Sequence, residues 1–182
     1  AGAKVTGAEV CRRSVDARKK DDIRFVYSVL CTAEGDPKRA AEKAGAVPEL
    51  RGDPKAGEGR EKLKGRPLVC GFGPAGMFAA LFLAENGYAP IVCERGPSPA
   101  QRRKKIDSFF KTGELDPEGN VQFGAGGAGM FSDGKLMTRI NDPLCRYVLE
   151  RMHGFGAPDD VLINARPHVG TDLLGGIVEK TA

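Results

Sequence analysis

The sequence predicts an α/β fold built on a β-α-β unit and preceded by a small α+β module. A short apolar run from Pro67 to Cys70 is typical of a parallel strand that is buried on both faces, and it leads directly into a glycine-rich turn and an apolar helix pattern. A second short apolar run ends at an acidic residue, Glu94. Residues 48–66 carry prolines, glycines and charges with almost no apolar periodicity, as linkers do. We therefore predict a module at 1–47, a linker at 48–66 and a larger domain at 67–182.

Composition argues against several classes of protein and site. The 28 basic and 24 acidic residues are mixed along the chain, so no nucleic-acid-binding surface is expected. The five cysteines form no Cys-x-x-Cys pair, and the two histidines lack partners at metal-ligand spacing, so neither a disulfide framework nor a metal site is expected. Cys70 and Cys93, on the two short strands, are expected to be small buried side chains rather than a redox pair. The longest apolar stretch, residues 77–84, is far short of a membrane span. We expect a cytoplasmic protein.

The N-terminal module is predicted to be a β-hairpin followed by a helix. Residues 8–15 alternate loosely, and residues 23–30 are rich in β-branched and aromatic side chains, with a charged turn between the two runs. Asp36 and Pro37 then occupy the N-cap and first-turn positions of a short helix pattern that ends at Gly45. The function of this module is not assigned by its sequence.

The glycine-rich turn after the first buried strand has the spacing of a dinucleotide-binding fingerprint. Gly71 permits the tight turn, Gly73 allows a pyrophosphate to approach the backbone, and Gly76 allows the helix to pack on the strand. Pro74 and Ala75 lie between them at the helix N-terminus, whose free N–H groups favour anions. In the context of strand, turn and helix, the pattern predicts a Rossmann-like domain rather than a glycine-rich turn without a ligand.

Two charged residues at the end of the second strand extend this prediction. Glu94 lies about 20 residues downstream of the fingerprint, where an acid is expected to accept the ribose hydroxyls of the adenosine half. Arg95 is interpreted either as a contact to adenosine or phosphate, or as a solvated strand end. The fingerprint alone leaves NAD and FAD open.

The region after residue 100 combines helix patterns with an unusual loop. Residues 101–111 form an amphipathic pattern whose basic residues, Arg102 to Lys105, lie largely on the polar side. Residues 112–135 hold seven glycines, and a structureless loop of this length is usually functional or disordered. Further helices are predicted at about 142–153 and 171–180.

Several segments of the chain resemble a known family. The runs at 66–80, 94–96 and 120–136, together with 13–20 and 167–172, resemble the NAD(P)/FAD-dependent oxidoreductases, a family of bacterial FAD-dependent dehydrogenases. The resemblance covers nearly the whole chain. It implies an FAD cofactor and NAD(P)H as a candidate electron donor. Members of that family are longer, and the chain does not begin with Met, so we expect a piece of a longer protein with an incomplete flavin domain.

The second glycine-rich segment, Gly124 to Lys135, is the most specific part of this resemblance, and we call it the second glycine block. By that resemblance, the block passes close to the ribityl and pyrophosphate region of the flavin, where its backbone N–H groups would form an anion-binding concavity. Met130 stands where the family has a threonine. Without the resemblance, a mobile surface loop is the alternative interpretation. The cofactor-binding residues that the resemblance implies in this block are Gly126, Gly127, Gly129, Ser132, Asp133 and Lys135.

Three functional hypotheses follow from the sequence. The first is an FAD-dependent oxidoreductase, in which this chain supplies the part that binds the ADP portion of the cofactor. The second is a dinucleotide-binding module without turnover, and the third is an NAD-dependent dehydrogenase. No residue is assigned a catalytic role, and the small-molecule substrate and the electron partner stay unassigned.

Overall fold

The N-terminal residues form a two-stranded antiparallel ribbon followed by a short helix. In the computed structural model, which describes residues 3–47, 59, 62–140 and 142–182, strand β1 (Ala3–Asp16) pairs with β2 (Arg24–Gly35). Helix α1 (Pro37–Ala44) follows. The predicted hairpin is therefore confirmed, with strands longer than the apolar pattern alone indicated. Most of the predicted linker lies outside the described residues.

Helix α1 has the ends that its sequence predicted. The Asp36 side chain accepts a hydrogen bond from the backbone N–H of Arg39, and Pro37 occupies the first turn. Gly45 ends the helix in the left-handed conformation, with φ of 63°. These local interactions set the helix boundaries without help from the rest of the chain.

The predicted β-α-β unit is present at residues 68–93. Strands β3 (Leu68–Cys70) and β4 (Ile91–Cys93) are parallel neighbours, with Leu68 opposite Ile91 and Cys70 opposite Cys93. Helix α2 (Pro74–Glu85) connects them and begins one turn before the apolar run that predicted it. The fold is thus mixed α/β, and each of its two sheets has two strands within the described residues.

The prediction that the first parallel strand is buried on both faces is wrong. Val69 is buried, whereas Leu68 is 61% exposed. Cys70 and Cys93, expected to be small buried side chains, are both exposed free cysteines. The cause is that helix α2 packs on the face of this sheet that carries Val69, whereas Leu68 and Cys70 alternate onto the opposite face.

The remaining helices enclose the core. Helix α3 (Pro99–Thr112) precedes the glycine-rich loop, which contains a short 3-10 helix at Ala128–Phe131. Helices α4 (Pro143–Gly154), α5 (Asp160–Ile163) and α6 (Thr171–Thr181) follow. Core side chains come from α2, α4, α5, α6, the glycine-rich loop and the segments beside them: Phe72, Met77, Ala125, Met130, Met152, Ala157, Val161, Val169, Leu174, Ile177 and Val178.

The hairpin touches the core region through one strand. The backbone N–H of Ala165 donates to the carbonyl of Arg13, and the Arg13 guanidinium donates to Asn164 at 3.0 Å and to the Asp160 carboxylate at 3.3 Å. No helix of the described segments is both long and apolar enough to cross a membrane.

Candidate functional site

A cavity of about 410 Å³ lies at the carboxyl ends of β3 and β4, between the fingerprint turn and the glycine-rich loop. Its volume is in the range of ligand pockets, about 300–1,000 Å³. In open parallel sheets, ligands bind at this edge. Of the residues that the sequence predicted to bind a cofactor, the cavity is lined by Gly71, Gly73, Glu94, Arg95 and Gly127.

The structure gives a different reason for a glycine at each of the three fingerprint positions. Gly71 adopts φ of 92°, which side-chain-bearing residues rarely adopt. A Cβ atom at Gly76 would overlap the carbonyl oxygen of Gly71, so this glycine lets the helix pack against the turn. A Cβ atom at Gly73 would meet no protein atom within 4 Å, and its backbone is extended. The fold requires Gly71 and Gly76, whereas Gly73 faces open space in a cavity.

The N-terminus of α2 adjoins this cavity because its N-cap residue, Gly73, lines the cavity. Pro74 is the first helical residue and has no N–H, and no side chain in the described part of the chain caps this helix end. The first N–H groups that follow belong to Ala75 and Gly76. A helix end of this kind carries a partial positive charge that favours an anionic group.

Glu94 is held at the cavity by two backbone groups. Its carboxylate accepts hydrogen bonds from the N–H of Phe72 at 2.5 Å and from the N–H of Gly96 at 2.7 Å. Each bond uses one oxygen, and each carboxylate oxygen has capacity for a second bond. Glu94 therefore joins the ends of the two strands and keeps acceptor capacity for hydroxyl groups.

Arg95 lies at the exposed rim of the cavity. Its guanidinium forms an ion pair with Glu118 at 2.6 Å, and the two side chains are 73% and 50% exposed. Pairs this exposed contribute little to stability. Glu118 also lines the cavity, and no local pattern in the sequence indicated that it would.

The second glycine block is in direct contact with the first. The N–H of Gly126 donates to the carbonyl of Phe72 at 2.7 Å, and a Cβ atom at Gly127 would lie 2.8 Å from Cδ of Pro74. Both glycines have positive φ. The N–H of Gly127 donates to the carbonyl of Gly124. These two N–H groups are therefore used within the protein, and an anion in the cavity would have to be bound by other groups.

The last residues of the second block do not line this cavity. The Ser132 hydroxyl donates to the carbonyl of Gly129 at 2.9 Å. Lys135 forms an ion pair with Asp133 at 2.6 Å and lowers the pKa of that carboxyl through the hydrogen bond between them. His168 contacts the Asp133 carbonyl at 2.7 Å. Thus the structure separates Gly129, Ser132, Asp133 and Lys135 from the cavity lining.

Arg102 holds the first part of the glycine-rich loop. The sequence placed this residue on the polar side of its helix, but its side chain is fully buried, at 0% exposure. Its guanidinium donates to five backbone carbonyls at 2.6–3.4 Å: those of Asn120, Val121, Gly124, Ala125 and Gly127. The expectation of a solvated side chain here is wrong, because the loop folds back over the helix.

The surroundings of Arg102 act on its charge in opposite directions. Burial lowers the pKa of its guanidinium, and the nearby Glu94 carboxylate acts in the opposite direction. The Phe131 ring lies 4.8 Å from the guanidinium carbon and adds a cation–π contact. Since arginine stays protonated in proteins, the loop is built around a positive charge. One feature of the sequence could have indicated this role for Arg102. The basic helix directly precedes a glycine-rich loop, which has few side chains of its own to hold it in place.

Comparison with known proteins gives similarity without an assigned activity. No family model matches the chain. The chain is 46% identical over 179 residues to a protein of Clostridium beijerinckii described as an uncharacterized protein. The alignment covers 97% of this chain and 34% of the relative. The chain therefore spans about a third of the length of the relative that it matches.

Proposed function

We propose that this chain binds the ADP portion of FAD in a Rossmann-like fold and forms part of an FAD-dependent oxidoreductase. The observation that carries the proposal is the open space at Gly73. The fold does not require glycine there, yet a side chain would enter the cavity that Glu94 and the start of α2 border. A ligand that lies against the Gly73 backbone accounts for the glycine.

The groups around the cavity fit the parts of this ligand. The uncapped start of α2 suits the negative pyrophosphate. The remaining acceptor capacity of Glu94 suits the two ribose hydroxyls of adenosine, and its negative charge disfavours a 2′-phosphate. Arg95 and Glu118, at the rim, would lie beside the adenosine. The protein's part is to bind and orient the cofactor.

The second glycine block favours flavin over nicotinamide in this proposal. A generic dinucleotide-binding turn needs no second glycine-rich loop, whereas here Gly126 and Gly127 pack directly on the first turn. The family resemblance adds support through the same residues. When bound, FAD supplies the electron transfer, with NAD(P)H proposed as donor. Ser132, Asp133 and Lys135 are proposed to contact parts of the cofactor outside this cavity. The proposed location of the protein is the cytoplasm.

Titration with FAD, ADP, FMN and NAD⁺ tests the proposal. The chain is expected to bind FAD and ADP, which share the ADP portion, and to bind FMN weakly, measured by calorimetry. A bound flavin that bleaches with a chemical reductant and recovers in air supports an oxidoreductase. Tight FAD binding without electron transfer would favour a non-catalytic module, and binding of NAD⁺ in preference to FAD would contradict the flavin assignment.

A further inference from the structure

Arg102 is a buried cation whose hydrogen-bond acceptors, within the described chain, are all backbone carbonyls. Burying a charge is costly unless several hydrogen bonds compensate it. A lysine has three N–H donors and an arginine has five in a fixed planar arrangement. All three guanidinium nitrogens are used: Nε and Nη2 each donate to one carbonyl, and the two hydrogens of Nη1 are shared among three. Acceptors spread around three coplanar nitrogens suit a guanidinium better than the single nitrogen of a lysine.

The segment that Arg102 holds is one wall of the candidate cavity. Gly124 and Gly127 both line the cavity, and both give their carbonyls to the guanidinium. A Cβ atom at Gly124 would lie 2.9 Å from Cδ of Arg102, and its φ is 118°. The loop therefore approaches Arg102 as closely as a glycine backbone allows, which fixes the distance of this wall from the fingerprint turn.

Apolar packing contributes less to this wall than it does to the rest of the core. Between Asn120 and Gly127, the side chain of Ala125 is buried in the core, whereas Phe123 is 53% exposed. The N–H of Gly126 gives one bond to the fingerprint turn. Without Arg102, five carbonyl groups would lose this partner. The Asn120 side chain accepts from the N–H groups of Gln122 and Phe123 and donates to carbonyls at 116 and 117, but these bonds lie within residues 116–123 and do not reach α3.

We propose that Arg102 is a positioning residue for the dinucleotide cavity: it holds residues 120–127 in place before a ligand binds. The identity of the ligand rests on the function proposed above, whereas the ordering of the loop does not. Pre-organisation of this kind raises affinity because the loop need not be ordered when the ligand binds.

The test compares Arg102→Ala with Ile106→Ala. Ile106 is on the same helix, is 4% exposed and lies outside the cavity lining, so its truncation lowers stability without removing the loop's hydrogen-bond donor. Lys104→Ala, at an exposed position of α3, is the control for changes in helix charge. Hydrogen exchange of peptides covering 120–127 and α2 reports local and global opening separately.

The expected result is specific to Arg102. In Arg102→Ala, exchange of the 120–127 peptide rises about tenfold or more while α2 stays protected, and FAD affinity falls about tenfold or more, since several hydrogen bonds are lost. Added ethylguanidinium, which can occupy the vacated space, restores both properties. Ile106→Ala shows neither local effect nor rescue. If Arg102→Ala does not fold, Arg102→Lys is expected to change loop exchange in the same direction.

Two results would overturn the proposal. One is unchanged loop protection in both Arg102 variants. The other is equal loss of loop protection in Ile106→Ala, which would mean that α3 packing, and not the guanidinium, orders the loop. A wild-type chain that binds neither FAD nor ADP would contradict the proposed function and the ligand-binding role of Arg102, while the exchange measurement would still decide whether Arg102 orders the loop.

Discussion

The N-terminal hairpin and the larger region at residues 67–182 are held together in different ways. In residues 4–47, none of the side chains whose burial is described is buried, and the strands are held by their own ladder. Between Val69 and Val178, by contrast, residues far apart in sequence form one core. The hairpin is therefore specified mainly by local interactions, whereas the candidate site depends on long-range contacts.

The hairpin nonetheless has a regular arrangement of apolar side chains. Its register places Val10 opposite Val29 and Val15 opposite Phe25, on one face of the ribbon. Register irregularities after Val5 and Val10 shift the pairing by one residue, which keeps apolar side chains in phase on that face. These side chains are 38–62% exposed, and two-stranded ribbons are marginally stable alone. The contact through Arg13 is therefore important to this region.

The largest expected difference between the regions comes from adding one methyl group to a glycine in each. Gly76→Ala would place Cβ on the carbonyl of Gly71, and should lower the free energy of unfolding by about 2–3 kcal/mol through overpacking. Gly7→Ala in β1 would meet Thr32 at 3.7 Å, an ordinary contact, and should change it by less than about 0.5 kcal/mol. Urea denaturation measures both. Equal effects would mean that the fingerprint turn relaxes as easily as the hairpin.

A smaller effect is expected where the two regions meet. Arg13→Ala removes the side-chain bonds to Asn164 and Asp160 and should reduce the protection of hairpin amides by about 1 kcal/mol, leaving α2 unchanged. Arg12→Ala, at an exposed neighbouring position, is the control. Hydrogen exchange by mass spectrometry is the measurement. Identical hairpin protection in both variants would show that the Arg13 side chain does not stabilise this contact.

The features that depend on local interactions could be predicted from the sequence, whereas those that depend on long-range contacts could not. The hairpin and the ends of α1 depend on neighbouring residues, so alternation and capping residues such as Asp36 and Gly45 were sufficient to predict them. The fingerprint turn was predicted for the same reason. The burial of Arg102 was missed, because a helical period cannot show that a loop about 20 residues later returns to that helix face. The exposure of Cys70 likewise depends on elements remote in sequence.

The smallest expected effect is on the contact between α4 and α2, and it is seen only at high pH. Burial, followed by the hydrogen bond to Glu85 at 2.8 Å, raises the pKa of Tyr147 to about 12. Because an unfolded tyrosine titrates near pH 10, the stabilisation is complete below pH 10 and is lost as pH rises to about 12. Tyr147→Phe should therefore reduce the fall in stability over this window. An unchanged pH dependence in denaturant titrations would contradict this role for Tyr147.

We propose that a dinucleotide occupies the open space at Gly73, and one pair of valine variants tests this most directly. Gly73 has an extended backbone and Gly176 is a helical glycine, and a Cβ atom at either position meets no protein atom within 4 Å. Both variants should fold, as measured by circular dichroism. We predict that wild type and Gly176→Val, reconstituted with FAD, show the visible bands of bound flavin and that a folded Gly73→Val does not. Equal flavin binding by Gly73→Val and wild type would contradict the claim.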